Sequence, residues 1–540
     1  MASTTTTTLN PPAHSKTNGT NGNGFAFDIE STLFVNKNVS LTLSPESLLI
    51  KGTSHACQYM NYVDTNSGAE TASKREKGSK TAASRRSVTL DASAYSEPVG
   101  SASSRAISLR NVLWAEMTES ELIISYAKEN SKTALQATTL KYPIEEERDL
   151  VESWIVRLKS RAYGKSQQQK RAKVLINPKS GKGYSEKMYA KEVAPILDAA
   201  RLFLDVQVTK EAKEAISIAE NLDIEAYDVI ICCSGDGLPF EVFNGLGKRK
   251  DARKALAKMA VAHIPCGSGN GLHCSLHGNI RSASIAAVSI VKGLRMPLDL
   301  VSITQGDTRI LSFLSQALGI VAEFDLGTEH LRWMGGTRFI YGFVIKSLQK
   351  KLYPCDIAAK VVTYDKAEMV KLHKEAWDRK DDLAALRDAE LTPEEGLPEL
   401  KFGTVKDPLP EGWELVPHDN IGNFYCGNMS WVGYDVNYFP AALPNDGCVD
   451  LVTVDYANLS RLAALQLMPA VENGKFFGLP YVNYRKVEAY RIIPKNQSDG
   501  YIAIDGERVP FAPFQAEVHK GLGTVLSVTG HMYESPGPVL

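Results

Sequence analysis

The run YDVIICC ends in Ser234-Gly235-Asp236-Gly237, an aspartate between two glycines at the lip of a wholly apolar segment. The glycines let another chain or a ligand approach the backbone and leave the carboxylate uncovered. Such a group suits phosphoryl transfer, where one acceptor must take the proton of the attacking hydroxyl. The competing reading is a turn aspartate bonded to its own backbone. Glu241, Asn244 and Gly245 follow at helical spacing. Upstream, KVLINP runs into Asn177-Pro178-Lys179-Ser180-Gly181-Lys182-Gly183, ahead of a helix expected to start near Ser185. Glycines there let N–H groups converge on phosphate oxygens, the helix start adds partial positive charge, and the two lysines supply mobile cations. GxxxxGK[ST] is absent, so this is not a Walker A loop. A third polar loop, Pro265-Cys266-Gly267-Ser268-Gly269-Asn270, follows VAHIP and misses the GxGxxG spacing of dinucleotide folds.

Those loops need a scaffold that brings them to one edge. KVLINP, YDVIICC and VAHIP are short apolar strands separated by helical patterns, which predicts a parallel sheet with ligands at its carboxyl ends. The α/β nucleotide-binding part is expected over residues 170–299. From residue 300 to 540 the pattern turns to strands, and an antiparallel β-domain is expected to face the α/β part across a cleft. Residues 365–417, first charged and helix-like and then Pro-rich, read as an insertion or mobile loop in that domain. Residues 25–165 carry short strand-like runs, with a Ser-rich basic stretch at 66–104 expected to be a disordered insertion. The runs end in EEERDLVESWIVRLKSRAY, whose Leu150, Val151, Trp154, Ile155 and Leu158 are expected to share one helical face. Strands closed by a helix with a buried tryptophan resemble a pleckstrin-homology-like module in layout; an accessory β-domain without a ligand is the alternative. The Thr-, Asn- and Gly-rich residues 1–24 read as a disordered tail.

Composition narrows the function classes. A length of 540 residues calls for several domains, and a net charge of −1 gives no global basic field for nucleic acid. Eight scattered cysteines form no disulfide framework and point to a reducing, cytoplasmic setting. The best candidate for a membrane span, Ile310 to Ala322, bounded by Arg309 and Glu323, is far short of the ~20 residues needed, so any membrane association is expected to be peripheral.

The three loops, in this order on successive strands, resemble the catalytic domain shared by diacylglycerol, ceramide and sphingosine kinases. NPKSGKG, SGDGLPFEVFNGL and PCGSGNGL match its opening motifs, and the likeness runs on through FLSQALGIVAEFDLGTEHLRWMGGTRF to Asp505-Gly506-Glu507. The Ser315–Phe339 stretch is closest to the sphingosine kinases, and the whole layout resembles the fungal long-chain-base kinases. The resemblance implies an ATP-dependent, Mg²⁺-requiring kinase acting on the primary hydroxyl of a sphingoid base (sphingosine, dihydrosphingosine or phytosphingosine). It implies Asp236 as general base, with Asn177, Lys179, Thr209, Ser234, Gly237, Gly267 and Ser268 around ATP. The loop residues Ser180, Gly181, Lys182, Gly183, Gly235, Gly269 and Asn270, together with Glu241, are candidates for the same site. Arg332 and Arg338 would meet the phosphates, and Asp505, Gly506 and Glu507 form a late nucleotide motif. Ser315 would line the lipid headgroup site and Asp325 would grip the ammonium, beside an apolar wall of Leu318, Ile320, Val321 and Phe324. A carboxylate there favours a cationic headgroup over neutral diacylglycerol or amide-capped ceramide. Two residues keep local alternatives: Asp325 as a cap of a helix beginning near Thr328, and Asp505 as part of an ordinary Asp-Gly hairpin turn.

The expected partners are the lipid, ATP and a membrane surface, with a homodimer left open. A ceramide or diacylglycerol kinase, a soluble kinase of the NAD-kinase type and a silent lipid-binding scaffold remain as alternatives. His263, Cys266, His273, Cys274 and His277 are read as structural rather than as a zinc site, since zinc wants four convergent ligands. No dedicated metal residue is assigned.

Overall fold

The computed structural model describes residues 32–52, 103–327, 342, 351–379, 395–456, 459–495 and 500–540. The tail 1–24 and nearly all of the 66–104 insertion lie outside them; Ser103 and Ser104 already belong to a strand.

Four parallel strands form the α/β part, in spatial order Ala260–Pro265, Val229–Ser234, Arg171–Ile176, Phe203–Val208. Val229–Ser234 is buried at every position, as its unbroken apolar text requires of a strand covered on both faces. Register pairs Ser234 with Pro265 and Cys233 with Ile176, so all three Gly-rich loops leave the sheet at one edge.

The β-rich part is not a detached lobe. Ser315–Gly319, Ile421–Gly427, Val449–Asp455 and Val482–Pro494 pair in antiparallel succession and lead to Phe514–Ser527. That last strand also pairs antiparallel with Leu294–Gln305 and touches the parallel sheet at Val261↔Val525. One hydrogen-bonded sheet therefore runs through both parts and fixes the cleft between them.

In the expected insertion, the helix-like first part is a helix and the mobile-loop reading of the later part is corrected. Lys366–Asp378 is helical, with Asp365 accepting from Ala367 N–H as its cap. Residues 395–417 are pinned rather than mobile. Glu517 accepts from Lys401 and Phe402 N–H, Gln515 donates to the Phe402 and Gly403 carbonyls, and Arg491 donates to the Thr404 and Asp407 carbonyls. Trp413 is buried against Phe402.

The N-terminal module has a four-stranded antiparallel sheet (Thr32–Asn36, Val39–Leu43, Ser47–Gly52, Ser103–Ser108) and a three-stranded one (Val112–Met117, Glu121–Ser131, Ala134–Pro143). The helix Arg148–Tyr163 closes it, burying Val151, Trp154, Ile155 and Leu158. Leu150, expected on that face, is 53% exposed: each helical step of about 100° carries it past the edge of the stripe. Trp154 is 1% exposed; truncating it to alanine is expected to cost ~3–5 kcal/mol. The module shares a continuous core with the parallel sheet. Lys292 reinforces the junction, donating to the Val112 and Ala162 carbonyls and lying 3.6 Å from the Tyr163 ring centroid.

Candidate active site

The loops hold one another. Gly235 N–H donates to Ser180 Oγ at 2.8 Å, which ties the GDG loop to the Asn177 loop. Gly181 has φ +56°, and a Cβ there would stand 2.3 Å from the Cys266 carbonyl oxygen. A Cβ on Gly267 would stand 2.4 Å from the Gly235 Cα. These glycines are required by loop-to-loop approach. The Asn177 side chain accepts from Lys179 N–H and shapes the turn, with Lys179, Gly181, Lys182 and Gly183 exposed at its crest. Gly235, Gly237, Gly267, Ser268 and Gly269 are half-buried on the facing walls.

Asp236 is half-buried where the loops meet. Its carboxylate does not bond its own turn. Oδ2 accepts from Gly271 N–H at 2.9 Å and Oδ1 from Leu272 N–H at 3.0 Å, at the start of the helix Gly271–His277. Two fixed donors set its orientation, and Gly269 keeps the approach open, since a Cβ there would lie 3.3 Å from Oδ2.

Several expected ligand residues instead hold the loops. Ser234 is 1% exposed with its hydroxyl on the Gly235 carbonyl, and Asn270 is 1% exposed, exchanging two hydrogen bonds with Gly267. Thr209 is buried and donates to the Ile176 carbonyl. Glu241 accepts from Lys213 and Ala215 N–H, which anchors the start of the helix Glu214–Glu220. Burial raises its pKa against those two bonds, and Glu507 adds to the rise. Asp505 sits in a turn with Gly506, both at positive φ, as an Asp-Gly hairpin demands. Its buried carboxylate accepts from Ser312 Oγ and from the N–H groups of Phe313, Leu314 and Ser315. Burial still pushes it up to about 6. Asp505 thus positions the Ser315 strand.

The opposite wall begins there. Ser315 Oγ lies 3.2 Å from the Tyr425 hydroxyl. Leu318 and Ile320, expected in the lipid wall, are core residues at 0% and 2% exposure, because an apolar run alone does not distinguish a pocket wall from a core strand. Val321, Phe324 and Asp325 stay half-buried on the helix Ile320–Gly327, three and four residues apart on one face. Asp325 lies inside that helix, not ahead of it. It also reaches the late turn: a Cβ on Gly506 would be 3.8 Å from Asp325 Oδ2, and one on Gly237 would be 3.8 Å from Glu507 Oε1. The Asp-Gly-Glu turn therefore bridges the GDG loop and the Asp325 helix. Tyr425 was not singled out from the sequence. Burial raises its phenol, helped by the Asp325, Asp505 and Asp236 carboxylates, so it stays protonated between the walls. Arg332 and Arg338 lie outside the described residues. Among the described residues, no group of three or more His, Cys, Asp or Glu side chains is placed to hold a metal, and no helix is long and apolar enough to cross a membrane.

The mixed sheet with three glycine-rich loops at the ends of parallel strands and a trailing β-domain has the layout of a catalytic unit of the diacylglycerol kinase type. Residues 171–303 match the diacylglycerol kinase catalytic domain, and residues 423–527 match the YegS C-terminal NAD kinase beta sandwich-like domain. Residues 31–164 match a domain of unknown function. Among curated proteins, the chain is 35% identical over 445 residues to sphingoid long chain base kinase 5 of Saccharomyces cerevisiae, covering 73% of this chain and 64% of that one. It is 33% identical over 427 residues to sphingoid long chain base kinase 4 of Schizosaccharomyces pombe (78% and 88%) and 32% identical over 350 residues to sphingosine kinase 1 of Arabidopsis thaliana (63% and 68%). The chain belongs to the sphingoid long-chain-base kinase family, built on a diacylglycerol kinase catalytic domain.

Proposed function

We propose that this enzyme transfers the γ-phosphoryl group of ATP to the primary hydroxyl of a sphingoid base, with Asp236 as general base. The carrying observation is the Asp236 carboxylate, held by two N–H donors at the meeting point of three loops. The substrate hydroxyl gives its proton to Asp236 as its oxygen attacks the γ-phosphorus; the bond to the β-phosphate oxygen breaks and ADP leaves with the electron pair. Exposed Lys179 and Lys182 and the amides of the glycine loops face the phosphates and oppose the charge spread over their oxygens. Mg²⁺ enters as part of the substrate MgATP, which keeps several waters on the ion.

Asp325 selects the cationic headgroup, with Ser315 and Tyr425 beside it and Val321 and Phe324 as the start of the apolar contact. Peripheral membrane association on the cytoplasmic side fits a lipid substrate that must be drawn from a bilayer. The N-terminal module is pleckstrin-homology-like in layout, supported by its four-plus-three strands and the closing helix with buried Trp154. The test is transfer of labelled γ-phosphate to sphingosine, dihydrosphingosine, ceramide and diacylglycerol by wild type and Asp236→Asn. Labelling of the free amines alone, lost in the variant, is expected; labelling of ceramide or diacylglycerol instead would overturn the headgroup assignment.

A further inference from the structure

Behind Asp236 stands a residue that the mechanism above leaves unused. His263 lies on the buried strand Ala260–Pro265 at 0% exposure. Its Nε2 is 2.9 Å from the Ser234 carbonyl oxygen. A carbonyl only accepts, so Nε2 carries the hydrogen and Nδ1 is left with a lone pair. That Nδ1 has no hydrogen-bond partner and faces Asp236 Oδ1 at 3.8 Å. Two acceptors therefore confront each other in the resting enzyme. An unsatisfied buried nitrogen costs ~1–3 kcal/mol, which calls for a reason.

The surroundings leave Asp236 as the partner. His273, from the helix Gly271–His277, meets His263 edge-on with ring centroids 6.5 Å apart. His277 lies 5.5 Å beyond His273, and Tyr434 packs on His273 from the other side. Cys232 is the neighbour in the sheet, Cys266 stands in the following loop and Cys274 in the middle of the helix Gly271–His277. Burial depresses both further histidines and raises the thiols and the phenol, so each of these groups is neutral near pH 7. Burial depresses His263 as well, while the Asp236 carboxylate pulls the other way.

We propose that His263 is a positioning residue for the general base: once Asp236 has taken the substrate's proton, its carboxyl O–H hydrogen-bonds to His263 Nδ1 and passes the proton to it. This rests on the reading of Asp236 as the base. The balance is simple. The O–H bond of Asp236 breaks, an N–H bond forms on Nδ1, the carboxylate is restored and the imidazole becomes imidazolium. It returns the proton to solvent through Asp236 when products leave. The resting separation must close by about 1 Å, as hydrogen bonds in unliganded sites commonly do on substrate binding.

The experiment is steady-state transfer to sphingosine by His263→Gln, Asp236→Asn and the double variant, with a thermal melt of each. Glutamine can keep an N–H donor to the Ser234 carbonyl but offers nothing at Nδ1. The expected result is kcat lower by about 10-fold or more with KM for ATP and lipid unchanged, and no further loss when His263→Gln is added to Asp236→Asn. Wild-type kcat in a folded His263→Gln enzyme, or an equal further loss on the Asp236→Asn background, would overturn the proposal. If Asp236→Asn itself stays active, the general-base reading fails first, and the two failures are thus distinct. Should His263→Gln fail to fold, His263→Asn decides through the same cycle: its amide oxygen stands near the place of Nδ1, so it is expected to retain part of kcat on the wild-type background and to change nothing on Asp236→Asn. Independent, additive losses there would overturn the proposal equally.

Discussion

The two walls of the cleft are built on different principles. On the wall proposed for the nucleotide, the side chains of Ser180, Ser234, Asn270, Thr209 and Glu241 bond protein and hold loops, while Lys179 and Lys182 stay exposed. On the wall proposed for the lipid, the side chains of Val321, Phe324 and Asp325 stand half-buried on one helix face. A triphosphate presents many equivalent oxygens that amides can meet, and amides keep their place only if the loops lock together. A single ammonium on a long chain needs one carboxylate and an apolar surface. A residue in a glycine-rich motif is thus more informative about loop contact than about ligand contact.

Breaking the chemistry at the junction has the largest expected effect. Asp236→Asn should lower kcat by about 10²–10⁴-fold while leaving ATP affinity measurable by calorimetry. Next comes the lock between loops. Gly181→Ala introduces a Cβ 2.3 Å from a backbone oxygen at a positive φ; kcat/KM for ATP should fall about 10–100-fold, with KM for sphingosine little changed. An ATP-neutral Gly181→Ala would break the distinction between the walls. On the other wall, Asp325→Ala should raise KM for sphingosine about 10-fold or more and spare ATP binding, since a carboxylate–ammonium pair contributes about 1.5–3 kcal/mol. Asp505→Ala tests the bridge between them. It strands donors from Ser312 to Ser315, and a loss of about 2–4 kcal/mol in denaturant unfolding is expected, with both KM values rising together.

The last expectation concerns pH and global stability. Burial lowers His273 from 6.5 to about 4. The unfolded chain then binds the proton more readily than the folded one between those values, so stability present above pH 6.5 is lost as pH falls toward 4. At about 1.36 kcal/mol per pKa unit the contribution is ~3 kcal/mol. Thermal melts from pH 7.5 to 4.5 should show the decline, to which the other histidines depressed by burial (His263, His277, His373, His418 and His519) also contribute, and His273→Phe should make it shallower.

Much of the site was legible. GDG after YDVIICC, NPKSGKG after KVLI and PCGSGNG after VAHI place three loops at strand ends, because short apolar strands between helical patterns pair in parallel and align their carboxyl ends. The helix at Lys366–Asp378 was readable from its periodicity, while the pinning of residues 395–417 was not, since Glu517, Gln515 and Arg491 lie far along the chain. Leu318 and Ile320 read as pocket wall because hydrophobicity does not say what covers it. Tyr425 gave no signal at all, since it meets Ser315 only across paired strands.

What the sequence by itself determined is local: which strands are fully buried, where glycine permits a tight loop, and that an aspartate between two glycines follows the strand Val229–Ser234. What the tertiary structure decided is which polar groups meet. Phe514–Ser527 returns from the far end of the chain to stitch the β-part to the parallel sheet, and Asp505 reaches back some 190 residues to hold the Ser315 strand. Hydrogen bonds between residues so distant in the chain form only when the whole sheet closes, so only the folded molecule shows that Ser234 and Asn270 are bonded within the loops and that Asp236 takes two N–H donors from the start of the next helix.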